Sequence, residues 1–154
     1  MEKYGGALQF ASTELKADHW VVLQAVKKSG NALAHASDEL KADRGVVTVA
    51  VKQAGKALQY APTALKADRG VVTEATKQDG GAFRWASAAL KADLGLVLEL
   101  LNTKSSSGFV ALMYASASVH AELDFCGSCF EFDTCSCCVT CGGFEEGCSC
   151  NYDY

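Results

Sequence analysis

Gly30-Asn-Ala-Leu-Ala-His-Ala-Ser-Asp-Glu-Leu-Lys-Ala-Asp-Arg-Gly-Val-Val-Thr-Val-Ala-Val-Lys-Gln-Ala54 is one copy of a unit that the chain repeats. The string Leu-Lys-Ala-Asp starts at Leu15, Leu40, Leu65 and Leu90, advancing by 25 residues each time, and Gly5, Gly30, Gly55 and Gly80 keep the same step. The next unit, Gly55 to Asp79, shares 16 of its 25 residues with Gly30 to Ala54, beyond what common composition produces. Self-similarity at such a period is the signature of stacked repeats. A degraded half-copy follows an insertion around Ser105 to Ser107. In it Ala111-Leu112-Met113-Tyr114-Ala115 matches Ala57-Leu58-Gln59-Tyr60-Ala61, and Val119-His120-Ala121-Glu122 stands where Leu-Lys-Ala-Asp would.

Within one copy the apolar spacing predicts two short helices. Ala32, Leu33, Ala36 and Leu40 share one side of the first at about 100° per residue, leaving Asp38 and Glu39 toward water. Val46, Val47, Ala50 and Val51 do the same in the second. Asp43 is placed to cap the second helix, its carboxylate accepting free backbone N–H groups. Lys52 supplies a cation near the negative end, and Gly55 beyond it is expected to take a left-handed cap. Helices of roughly ten residues are marginal alone, so neighbouring hairpins must stack and share a core. The fold expected is all-α: tandem αα-hairpins forming a short α-solenoid or compact helical array over residues 1–122, followed by an irregular Cys-rich module over 123–154.

These residues resemble the repeat family known as domain of unknown function 4116. Its pattern is carried by Ala57-Leu58-Gln59-Tyr60-Ala61, by Leu65-Lys66-Ala67-Asp68 and by Val46-Val47-Thr48-Val49-Ala50-Val51-Lys52-Gln53-Ala54-Gly55. The resemblance spans about Tyr4 to Glu122. It implies tandem helical copies that serve as binding or scaffolding modules, and it assigns no activity. Pro62 departs from the Ser of other copies, and Thr76 from the core Val. The cysteine tail is no part of the pattern.

Charge also divides the chain, after Lys104. Through Lys104 there are 14 basic and 11 acidic residues, a net of +3, while Ser105 to Tyr154 holds seven acids and no Lys or Arg, a net of −7. All eight cysteines lie between Cys126 and Cys150. Such a break reads as a repeat domain with an appended module. The 49% hydrophobic and 21% charged composition excludes a wholly disordered chain. The most apolar stretches, Leu94 to Leu101 and Phe109 to Ala115, fall far short of the roughly 20 residues that span a bilayer. Met1 to Ala11 carries Glu2, Lys3, Gly5 and Gly6 where a secretory signal needs an apolar run, so the mature start is expected at Met1 and the protein in the cytoplasm.

Two columns of the repeat are candidate partner-binding residues. Phe10, His35, Tyr60 and Trp85, joined by Tyr114 in the half-copy, stay large while changing identity, about 120° from the centre of the apolar face. They either pack between copies or line an exposed groove, where rings give large contact area with few torsions. Lys16, Lys41, Lys66 and Lys91 recur beside them, with Lys27, Lys52 and Lys77 at helix ends. Held about 10 Å apart by stacking, the first set forms a basic ridge facing an acidic protein partner or the acidic tail; otherwise these lysines are solvated turns and dipole compensation. Nucleic acid is not expected from a net of only +3 without a base-reading motif.

The tail reads Cys126-Gly-Ser-Cys129, Cys135-Ser-Cys137-Cys138-Val-Thr-Cys141-Gly-Gly and Cys148-Ser-Cys150. Two-residue gaps let thiolates converge on one ion, so Cys126 and Cys129 with Cys138 and Cys141 make a four-thiolate zinc site, with Cys135, Cys138 and Cys141 a competing grouping. Copper(I) and iron–sulfur centres also suit soft ligands. Four disulfides, an unstructured extension, or a modified peptide core whose leader is the repeat domain remain open, because Thr134, Ser136, Thr140 and Ser149 each precede a cysteine. No phosphate-cradling loop or His-Glu-x-x-His pair occurs, and His120 reads as a surface-turn residue, so the chain is expected to be a non-catalytic scaffold rather than an enzyme. The alternative is a thiol-based metal or redox protein carried on the array. Intact mass spectrometry separates these chemistries. Zinc gives added mass in the native spectrum that is lost on denaturation, with all eight thiols then alkylated without reductant, whereas disulfides leave the thiols unreactive and a modified core shows losses in steps of water.

Overall fold

A computed structural model describes residues 6–102, 106–123, 125–126 and 131–132. The first copy contains the 3-10 segment Gly6–Phe10, α1 (Thr13–Ala17) and α2 (His19–Lys28). The second contains Gly30–His35, α3 (Asp38–Lys41) and α4 (Arg44–Gln53), and the third Gly55–Tyr60, α5 (Thr63–Lys66) and α6 (Arg69–Gln78). The fourth contains Gly80–Trp85, α7 (Ala88–Lys91) and α8 (Leu94–Asn102), and the half-copy α9 (Ser106–Leu112) and α10 (Ala117–Glu122). The long helices form one row and the 3-10 segments another. α4 packs between Gly30–His35 and Gly55–Tyr60 while touching α2 and α6, which is a two-layer, all-α repeat stack. Beyond it, β1 (Phe125–Cys126) pairs antiparallel with β2 (Glu131–Phe132).

The apolar faces read from the sequence form the core. Ala32, Leu33, Ala36 and Leu40 are buried, as are Val46, Val47, Ala50 and Val51 and their equivalents in copies three and four, except that Leu101 is half-buried. Ala111, Leu112 and Val119 are buried as well, so the half-copy completes the stack.

The first helix of each copy is split. Ala36 is extended, with φ −68° and ψ 160°, and Ser37 restarts a one-turn helix by accepting from the Leu40 N–H at 3.4 Å. A serine hydroxyl offers the backbone an alternative to continuing the preceding turn. Its own N–H also leaves the copy, donating to the Lys16 carbonyl at 2.8 Å. Ser87 donates to Lys66 at 2.9 Å and Ser116 to Lys91 at 2.8 Å, so the second and fourth copies and the half-copy are each tied to the one before. Pro62 takes the same extended geometry, φ −68° and ψ 164°, but has no N–H for Lys41 and no side-chain cap. Thr76 also fits its position: it is buried, and its hydroxyl donates to the Val72 carbonyl at 2.8 Å.

Asp43 caps α4 as expected, accepting from Gly45 N at 2.7 Å and Val46 N at 3.0 Å. The left-handed cap at Gly55 is overturned. The residue closing α4 is Ala54 in an extended conformation, and Gly55 opens the next 3-10 segment without a positive φ. Glycine is needed there for space, since a Cβ on Gly55 would lie 2.5 Å from the Ala75 carbonyl oxygen and 2.8 Å from the Asp79 Cβ. Gly30 meets the Ala50 carbonyl in the same way. Gly80 meets Ser107 instead, because α9 takes the place that the end of α8 would fill.

Gly55→Ala therefore forces two backbone segments apart. Urea denaturation should show a loss of about 3 kcal/mol, against a change within about 0.5 kcal/mol for Gly6→Ala, where nothing lies within 4 Å of a Cβ. Equal effects at the two positions would contradict the close-approach account.

A candidate partner-binding surface

The basic column does not form a free ridge. Lys16 reaches back to donate to the Gln9 carbonyl at 3.0 Å, and Lys91 to the Arg84 carbonyl at 2.6 Å. Both satisfy the end of their own copy's 3-10 segment, where carbonyls lack partners. Lys41 pairs with Asp38 at 3.2 Å, and Lys66 is half-buried. His120, at the equivalent place in the half-copy, bonds the Leu112 carbonyl at 2.7 Å and so repeats the lysine's role.

The long-helix ends carry a second polar series. Arg44 at the start of α4 donates to Asp68 at 2.8 and 3.3 Å, and Arg69 to Asp93 at 2.6 Å and Glu99 at 3.2 Å. His19 lies 3.9 Å from Asp43. Each of these aspartates also caps its own helix, Asp68 through the Val71 N–H at 3.0 Å and Asp93 through the Leu96 N–H at 3.0 Å. One carboxylate thus joins two copies. The hydrogen bond from the Arg44 guanidinium, followed by that from the Val71 N–H, holds the Asp68 carboxyl below its ordinary value, and the same pairing raises Arg44. Leu94 replaces the arginine in copy four and ends the series.

The aromatic column divides. Tyr60, Trp85 and Tyr114 are half-buried against the core, His35 is half-buried, and Phe10 is 84% exposed at the open end. Trp85 and Tyr114 keep one side in a groove of about 400 Å³ with Lys56, Gln59, Arg84 and Val110. A second concavity of about 420 Å³ adjoins it through Lys56, Asp79 and Val110 and extends to Asn31, Gln78 and Ser107. Arg84 stacks over the Trp85 ring, 4.8 Å from its centroid, and Lys56 lies 3.9 Å from Asp79. The surface crosses the third and fourth copies and the half-copy and combines two cations, the Asp79 carboxylate beside Lys56, side-chain amides and two rings. Periodicity gave no sign of Lys56, Arg84 or Val110, because those positions vary among copies; the lone cation beside Trp85 was the available signal.

The expected metal ligands Cys126, Cys129, Cys135, Cys137, Cys138, Cys141, Cys148 and Cys150 lie outside the described residues, except that Cys126 enters as backbone of β1. Among the described residues no group of three His, Cys, Asp or Glu is placed to hold a metal. No helix among them is long and apolar enough to cross a membrane.

A family model described as Domain of unknown function (DUF4116) matches the chain three times, over residues 1–41, 21–66 and 43–91. No curated protein and no solved structure matches it.

The lowered Asp68 value has a definite pH sign. A depressed carboxyl contributes stability above its unfolded value and loses it as pH falls through the folded one. Urea melts stepped from pH 7 to pH 3 should show Asp68→Asn less stable than the parent at neutral pH, with the gap closing in the acid range at and below the ordinary aspartate value of 3.8. A gap unchanged by pH would show that the carboxylate is not its source.

Proposed function

The chain belongs to the family described as Domain of unknown function (DUF4116), whose description names no activity, and from the surface itself we propose that the array is a non-catalytic scaffold binding an acidic protein segment. The observation that carries this reading is the groove in which Arg84, stacked on Trp85, stands beside Tyr114 and Lys56. Arginine and aromatic side chains in a concave site are the residue types that dominate protein recognition. Asn31, Gln59 and Gln78 add donors and acceptors for a peptide backbone. The non-catalytic reading is supported by Arg44, Arg69, Asp68 and Asp93 being engaged in caps and copy-to-copy pairs.

The tail forms a zinc-binding thiolate module in this reading, which suits a reducing compartment such as the cytoplasm. The pairing of Phe125–Cys126 with Glu131–Phe132 supports it, because Cys126 ends a strand and Cys129 belongs to the connection to the next.

Panning a random peptide library against the full chain should return acidic sequences. Their affinity should fall about tenfold or more in Arg84→Glu, while zinc content stays unchanged. Neutral or basic sequences, or undiminished binding by the variant, would refute the groove, and binding abolished by thiol alkylation alone would move recognition to the tail.

A further inference from the structure

Every 3-10 segment after the first rests against a long helix from the copy before it. α2 packs on Gly30–His35 and α4, α4 on Gly55–Tyr60 and α6, and α6 on Gly80–Trp85 and α8. The seat that receives α2 is lined by Ala32, Leu33, Ala36, Val46 and Ala50, all buried. Their equivalents in copy one are Ala7, Leu8, Ala11, Val21 and Ala25. These remain apolar, yet Ala7 is exposed and Ala11, Val21 and Ala25 are only half-buried. Val22 and Val26, on the side of α2 facing the next copy, are fully buried. The difference marks an empty seat, a groove of about 450 Å³ closed at its rim by Gln24 and Lys28.

We propose that this seat binds a three-turn amphipathic helix of a partner protein, one whose aliphatic stripe resembles that of α4 and whose first residue is a cation. The copy-to-copy interface inside the chain shows which surface such a seat receives: β-branched side chains at the spacing of Val22 and Val26 in α2, which are Val47 and Val51 in α4. Two further observations specify the cation. Asp43, Asp68 and Asp93 each face the first residue of the preceding long helix, whereas Asp18 has no cation opposite it among the described residues. Trp20, 69% exposed, stands where the other copies carry glycine. Its equivalent Gly70 faces that same residue of the preceding helix, with a Cβ position 3.1 Å from the Arg44 guanidinium. Asp18 and Trp20 thus offer a carboxylate and an aromatic face to an incoming arginine. Recognition is of the helix-in-groove kind, on a surface separate from the Arg84 groove.

The test uses the full chain and a fluorescein-labelled peptide of residues 43–55 of this sequence carrying Thr48→Glu, held helical by a lactam formed between the Glu carboxyl introduced at position 48 and the Lys52 amine with loss of water. Anisotropy should show saturable binding. Affinity should drop about tenfold or more for Ala25→Glu, and about threefold when the peptide carries Arg44→Ala. Ala7→Glu, at an exposed position, gives the same loss without risk to folding. Arg84→Glu leaves this binding unchanged, so failure of the groove and failure of the seat are read separately. Absence of saturable binding at millimolar peptide overturns the proposal, as does undiminished binding by both Ala7→Glu and Ala25→Glu. Sedimentation equilibrium supplies the remaining outcome: a chain that dimerises until Ala25→Glu makes it monomeric would assign the seat to a second copy and overturn the partner helix.

Discussion

The rest of the architecture depends on close approach between the end of each long helix and the glycine that opens its copy's 3-10 segment. At Gly30 and Gly55 no room exists for even one carbon atom between the two backbones. That spacing leaves room only for alanine at several interior positions, beside the larger buried Leu33, Leu58 and Phe83. Ala32, Ala50, Ala57 and Ala75 are buried without side chains long enough to hold the layers apart. Dispersion attraction falls steeply with small gaps, so a core of small residues is stable only when the backbones nearly touch.

Polar groups then fix the register that close packing permits. The serine N–H bonded to a lysine carbonyl of the previous copy ties the 3-10 row together. The aspartate that caps one helix and receives the previous helix's first cation ties the long-helix row. Both devices act between copies, so neither exists in an isolated unit, in keeping with the nearest-neighbour character of repeat proteins. Every described side-chain polar atom that is deeply buried has a partner.

The proposed binding surfaces lie where this regularity fails. At the C-terminal side α9 replaces a 3-10 segment and slides between Gly80 and α8, and its Val110 completes the groove beside Trp85 and Tyr114. At the N-terminal side the first copy keeps an apolar seat with nothing in it and carries a tryptophan in place of glycine. The six exposed large hydrophobic residues among those described fall in these two regions, Phe10, Leu15 and Trp20 at one end and Leu98, Phe109 and Met113 at the other. A stack that buries one face of every copy against its neighbour leaves unpaired faces only at its ends.

The sequence by itself determined the period, the number of copies, the buried residues and the capping role of Asp43, because each repeats locally and needs only helical geometry to be read. It also marked the charge break after Lys104. Tertiary structure alone decided that the first helix of each copy is split, as at Ala36 and Ser37, because the apolar spacing is satisfied equally by one continuous helix and by two short ones joined through an extended pair. It decided that Gly55 serves close approach rather than a left-handed turn, because the colliding carbonyl belongs to Ala75, 20 residues away. The lysines at Lys16 and Lys91 turned inward for the same reason: a carbonyl seven residues back in the chain is brought beside them only by the split. Spacing along a chain shows which residues share a face, and only packing shows what that face meets.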